Sequence, residues 1–172
     1  MSTAAQAPPA APPPLSHILE TILYVRDLDV SSKFYKDVFS VDPIVEIPKV
    51  LTGFSIGNTT LLLFKIGATD QDRFSDRGMI PKHGPTPEMA AALLAAKHGE
   101  GEAQAQAPAL RQHYCFSAGD PDAVDRWDAH LQHLGVKITA RMNWEKGGKS
   151  IYFEDPDGHV GEVGSRGIWP HY

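Results

Sequence analysis

The chain repeats itself. Residues 17–67 and 109–169 carry the same order of apolar periodicities, and the first strand and helix of each overlay at a shift of 93 residues. In the first copy, "HILETILYV" (17–25) is β-branched and apolar, as a strand requires. "RDLDVSSKFYKDVFS" then places Phe34 four residues before Val38 and Tyr35 four before Phe39, which makes one apolar helical face, with Asp29 or Ser31 as its N-cap. "VDPIVEI", "LTGFSIG" and "TTLLLFKIG" follow as three strands punctuated by Pro and Gly. The second copy runs "QHYCFSAG" (strand), then "DPDAVDRWDAHLQHLG" (helix). That helix has Asp120 as N-cap, Pro121 at its first position, Gly135 as its stop, and an apolar face of Val124, Trp127, Leu131 and Leu134. "VKITARMNW", "KSIYFED" and "HVGEVG" are three further strands. In the overlay Glu20 falls on His113, Asp27 on Asp120, Phe34 on Trp127, Val38 on Leu131 and Val41 on Leu134. A single βαβββ unit cannot cover both faces of its sheet, but two side by side can curl into a cup around one cavity. The expected fold is therefore α+β: two βαβββ modules forming a concave, incomplete barrel-like sheet.

The rest of the chain has another character. Residues 1–15 are Ala/Pro-rich and carry no Lys or Arg, which reads as a disordered or polyproline-like tail. Residues 68–108 read as an insertion or linker between a first module at 16–67 and a second at 109–172, loop-like at first, helical at "EMAAALLAAK", then low-complexity, and mostly on the surface. A length of 172 residues suits one ordinary domain, here 16–169. The net charge of -5 and the lack of a basic stripe argue against a nucleic-acid partner. No apolar run is long enough to span a bilayer. The one cysteine, Cys115, excludes a disulfide within the chain and fits a reducing, cytoplasmic setting; its place in an apolar run reads as a small core residue.

One stretch carries a question of chemistry. In "SIYFEDPDGHVGEV" (150–163), Asp155-Pro156-Asp157-Gly158 is turn chemistry between two strands, and the return strand holds one acid, Glu162, flanked by Val160 and Val163. A carboxylate in such a place needs a cation or hydrogen-bond donors.

These stretches, together with "LETILYVRDLDVSSKFYKDVFS", resemble the vicinal-oxygen-chelate superfamily, which includes glyoxalase I, extradiol dioxygenases and fosfomycin- and bleomycin-resistance proteins. The resemblance implies a divalent metal held by ligands from the first and fourth strands of each module. Carried over, these are Glu20 (where many relatives have His), His113 and Glu162. Glu162 would also be the catalytic carboxylate. Counting four residues from the turn glycine places Leu61 at the fourth position, a departure, since Leu cannot ligate. Two carboxylates and an imidazole do not choose among Fe, Mn, Ni, Zn and Mg. Two readings stay open. One is a metal-dependent lyase, isomerase or dioxygenase acting on a small oxygenated metabolite. The other is a metal-free protein that sequesters a small ligand, as bleomycin-resistance proteins do. A homodimer would suit either. Tyr24, Trp144, Ser150 and Tyr152 are candidates to line the substrate pocket. Trp169, Lys146, Lys149 and His83 are weaker candidates, each as well explained by packing or by a solvated loop.

Overall fold

The computed structural model describes residues 12–96 and 108–172. Most of the tail, and the low-complexity stretch 97–107, lie outside the described residues. The first module comprises β1 (Glu20–Val25), α1 (Leu28–Phe39), β2 (Val45–Ile47), β3 (Leu51–Ile56) and β4 (Thr59–Lys65). The second comprises β7 (His113–Gly119), α3 (Pro121–His133), β8 (Ile138–Asn143), β9 (Lys149–Glu154) and β10 (Val160–Ser165). Between them lie a hairpin, β5 (Arg73–Ser75) and β6 (Gly78–Ile80), and a helix, α2 (Pro87–Ala95).

The fold is α+β, with two βαβββ modules and no closed barrel. The sheets share one topology, β1-β4-β3-β2 and β7-β10-β9-β8. In each, the first strand runs parallel to the last, and the remaining pairings are antiparallel. Glu20 and His113 both open a parallel strand, opposite Thr60 and Val160 respectively, so the overlay of the first strands holds. Asp27 and Asp120 are both N-caps, each accepting amide hydrogens of the first helical turn. For α1 this moves the cap from the expected Asp29 or Ser31 to Asp27, whose Oδ1 accepts from the N–H groups of Asp29 and Val30.

Alternation along the strands sorts the side chains between two faces. Leu23, Val25, Leu61 and Leu63 of the first sheet join Tyr114, Ile151, Phe153 and Val163 of the second in one core, with Tyr35 and Val38 of α1 and Val124 and Leu131 of α3. The two sheets thus share a core filled by α1 and α3, and the faces free of these two helices, their helix-free faces, both turn away from it. Close approach in this core has a sequence cost at Gly161, where a Cβ would stand 2.3 Å from the Phe153 ring.

The modules are locked by the Asp-Pro-Asp-Gly turn and the residues beside it. β1 is an edge strand, and the second module satisfies its open backbone groups with side chains. The Gln112 amide donates to Ile22 O (3.0 Å) and accepts from Tyr24 N (3.1 Å). His159 Nδ1 accepts from Gln112 N (3.1 Å), which leaves the hydrogen on Nε2 to donate to Tyr24 O (2.9 Å). Asp157 accepts from Arg26 N (2.8 Å), Arg26 Nη1 (3.2 Å) and Ser31 Oγ (2.9 Å). Asp155, buried, accepts from the amides of Asp157 and His159 and from the Tyr35 hydroxyl (2.8 Å). Burial, above all, holds its carboxyl above the ordinary value, against the pull of the Tyr35 hydrogen bond.

Candidate functional site

The helix-free face of the second sheet carries the buried acid. On β10, Val163 faces the core, so its neighbour Glu162 faces the other way, level with Tyr152 of β9 and Cys115 of β7. Glu162 is 5% exposed, yet its two oxygens are separately served. His113 Nε2 lies 3.0 Å from Oε2, and the Tyr152 hydroxyl donates to Oε1 at 3.0 Å. A carboxylate can survive burial here because two donors replace water. The chain thus supplies its own donors to the acid of the return strand.

The neighbours feel the charge. Tyr152 is pushed up to about 12, by burial first and then by its hydrogen bond to Glu162 and the nearby negative charge. Cys115 also rises to about 12, through desolvation and then through Glu162. The residue as a whole is exposed, so the expectation of a core cysteine is corrected: strand alternation turns it onto the helix-free face beside Glu162. A thiol held at that value is a poor nucleophile. Ser150 is buried on the same face and accepts from Trp144 Nε1 at 2.9 Å. Trp144, Ser150 and Tyr152 thus surround one surface with His113 and Glu162.

Other candidates lie elsewhere. Glu20 is exposed, on the helix-free face of the first sheet, with no hydrogen bond or ion pair among the described residues. Among the described residues no group of three His, Cys, Asp or Glu side chains stands close enough to hold a metal. Tyr24 is buried on that same first-sheet face, its hydroxyl bonded to His83 Nδ1. Trp169 is exposed, and Lys149 pairs with Asp125 at the surface (2.6 Å).

The fourth position also moves. Sheet pairing places Thr60 opposite Glu20 and Val160 opposite His113, so the first-module counterpart of Glu162 is Leu62, not Leu61. Counting from the glycines slips because β4 carries one residue, Thr59, ahead of the position opposite Glu20, whereas β10 begins at the position opposite His113. Leu61 points into the shared core. The position remains a leucine, so the departure from a four-ligand pattern stands.

The sequence reading did not foresee the roles of Gln112, Asp157 and His159. Their partners are largely backbone atoms 88 to 135 residues away in the chain, which no local pattern encodes.

A family model described as the Glyoxalase/Bleomycin resistance protein/Dioxygenase superfamily matches residues 15–163. Among solved structures, a lactoylglutathione lyase from Agrobacterium tumefaciens is 30% identical, with a TM-score of 0.71, covering 91% of this chain and 98% of its own. A glyoxalase/bleomycin resistance protein/dioxygenase from Nocardioides is 16% identical (TM-score 0.59, 91% and 88% covered), and a Vibrio cholerae integron cassette protein is 19% identical (TM-score 0.55, 88% and 96%). The last two speak for the fold alone. With the strand order, the two modules and the match over most of its length in agreement, the chain belongs to the Glyoxalase/Bleomycin resistance protein/Dioxygenase superfamily.

Proposed function

We propose that the protein is a metal-dependent enzyme acting on a small oxygenated metabolite, with His113 and Glu162 as two ligands of a divalent ion and Glu162 as the catalytic carboxylate. The observation that carries this reading is the 3.0 Å separation of His113 Nε2 and Glu162 Oε2. Two donor atoms each about 2.1 Å from one ion, at a right angle, lie about 3.0 Å apart. The pair can exchange a shared proton for a cation with little movement. Glu20 is the third ligand in this reading. It is exposed and unpaired, and it faces away from the shared core, as His113 and Glu162 do. A homodimer that brings helix-free faces together would supply Glu20 from a second copy. The donor set, two carboxylates and one imidazole, suits Mn, Fe, Ni, Zn or Mg.

A bound dication would act as a Lewis acid on a substrate oxygen. The chain's own residues do the rest. Glu162 Oε1 is the atom placed to take a proton from the substrate. The Tyr152 hydroxyl, which keeps its own proton up to about pH 12, orients that carboxylate. Trp144 and Ser150 wall the same surface.

A second reading is favoured by Leu62 and by the saturation of Glu162 by two donors: a metal-free protein that binds and sequesters a small molecule on this face. Elemental analysis after purification without added metal, with thermal melts of wild type and Glu162→Gln with and without chelator, separates the two. The enzyme reading expects divalent metal to raise the melting temperature of the wild type and not of Glu162→Gln. Destabilisation of the variant regardless of metal, with no response in the wild type, would leave the sequestering protein ahead.

A further inference from the structure

The insertion does more than join the modules. Ala90 and Leu93 of α2 are buried against Tyr24, Phe64 and Ile66, so α2 packs against helix-free-face residues of the first sheet. Beside it the insertion walls two cavities. One, about 120 Å³, is an apolar slot whose lining includes Val50, Leu51, Phe64, Ile80 and Pro81. The other, about 300 Å³, is a more open chamber whose lining includes the charged Asp70 and Lys82. Thr69, Gln71 and His83 line both, so His83 stands where slot and chamber meet.

His83 is held in place at that junction. Its ring meets the Phe64 ring edge-on at 5.2 Å, and its Nδ1 is bonded to the Tyr24 hydroxyl. Gly84 lets the loop come this close: its φ is +91, and a Cβ there would stand 2.4 Å from the Tyr24 ring. Burial raises the Tyr24 phenol above its ordinary value. The other ring nitrogen, Nε2, has no partner among the described residues. The two linings hold two cations, Lys82 and Arg73, and one acid, Asp70, while a second acid, Asp72, accepts from the Lys82 backbone N–H (2.8 Å); neither cation's side chain has an ion pair among the described residues.

We propose that the insertion builds a second ligand site on the first module, for a small carboxylic acid whose compact aryl or branched alkyl body fills the slot and whose carboxylate meets His83 Nε2 and Lys82. An apolar cavity of about 150 Å³ accepts benzene, so a slot of this size takes a group no larger than a phenyl ring. The side chains of Lys82 and Arg73, without ion pairs among the described residues, select an anion over an alcohol of the same shape. The site is separate from the Glu162 face and does not depend on a metal there.

Fluorine NMR of para-fluorobenzoate, with para-fluorobenzyl alcohol as the neutral probe, tests this on the full chain. The acid is expected to bind saturably, with a dissociation constant on the order of 1 mM for so small a ligand, and more tightly than the alcohol. Lys82→Glu, an exposed change, should weaken the acid by about fivefold or more and leave the alcohol nearly unchanged. Ile80→Asp, at the exposed rim of the slot, should weaken both. Glu162→Gln should alter neither, which keeps this test independent of the metal reading. No saturable binding of the acid, equal binding in Lys82→Glu, or loss of binding in Glu162→Gln would each overturn the proposal.

Discussion

The two sheets have one strand order and matching parallel registers, yet their helix-free faces differ in kind. On the first, Ile22, Leu62 and Phe64 are apolar, and α2 packs against this side of the sheet. On the second, the matching strands present His113, Glu162 and Tyr152, a bonded polar group that the chain leaves beside exposed positions. At the position where the second module has a carboxylate, the first has Leu62. The two modules thus match on the core side, where both need the same packing, and differ on the other side, which is apolar beneath α2 in the first and ionisable in the second.

The most severe way to break the comparison is to separate the modules. Asp157→Ala removes the acceptor shared by Arg26 N, Arg26 Nη1 and Ser31 Oγ, and breaking a buried ion pair of this kind costs about 3–5 kcal/mol. Denaturant unfolding should show that loss. A change well under 1 kcal/mol would mean that the shared core alone joins the modules.

Next comes Leu93→Ala, which strips the packing of α2 from the first sheet and should cost about 2–3 kcal/mol. Hydrogen exchange should quicken at the amides of β1 and β4 while β9 and β10 stay protected. Equal quickening in both sheets would show that the faces are not energetically distinct.

A gentler test concerns the second face. Tyr152 stands at about 12 against an ordinary 10.0, so the folded protein holds the phenol proton more tightly than the unfolded chain. Its contribution is intact below pH about 10 and is lost as pH rises toward about 12. Ultraviolet titration of tyrosinate should find this late phenol, and Glu162→Gln should move it down only part of the way, because burial is the larger cause. An unmoved titration would show that Glu162 does not reach Tyr152 in solution. The smallest effect belongs to the surface: Lys149→Ala breaks only the exposed pair with Asp125, and the melting temperature should move by no more than about 1 °C.

What the sequence disclosed follows from range. Asp120, Pro121 and Gly135 announce a helix because caps and stops are local, and the duplicated order of elements reads directly from periodicity. Glu162 was legible because strand alternation makes an acid between valines conspicuous. The position of Leu62 was not, because a count from the turn glycine does not reveal that β4 starts one residue ahead of its pairing with Glu20. Nor was the approach of α2 to the first sheet: an Ala-rich helix reads as surface until Tyr24 and Phe64 are brought beneath it by residues distant in the chain. The lock escaped for the same reason.

That lock has a consequence for how such a chain can change. Gln112 and His159 grip Ile22 and Tyr24 by their carbonyls and amides, never by their side chains. Residues 20, 22 and 24 can therefore be exchanged without loosening these bonds between the halves. Mutation is free to try new recognition chemistry along β1 while the joint beneath it stays closed, so a lineage built on this plan can change what it binds without first relearning how to fold.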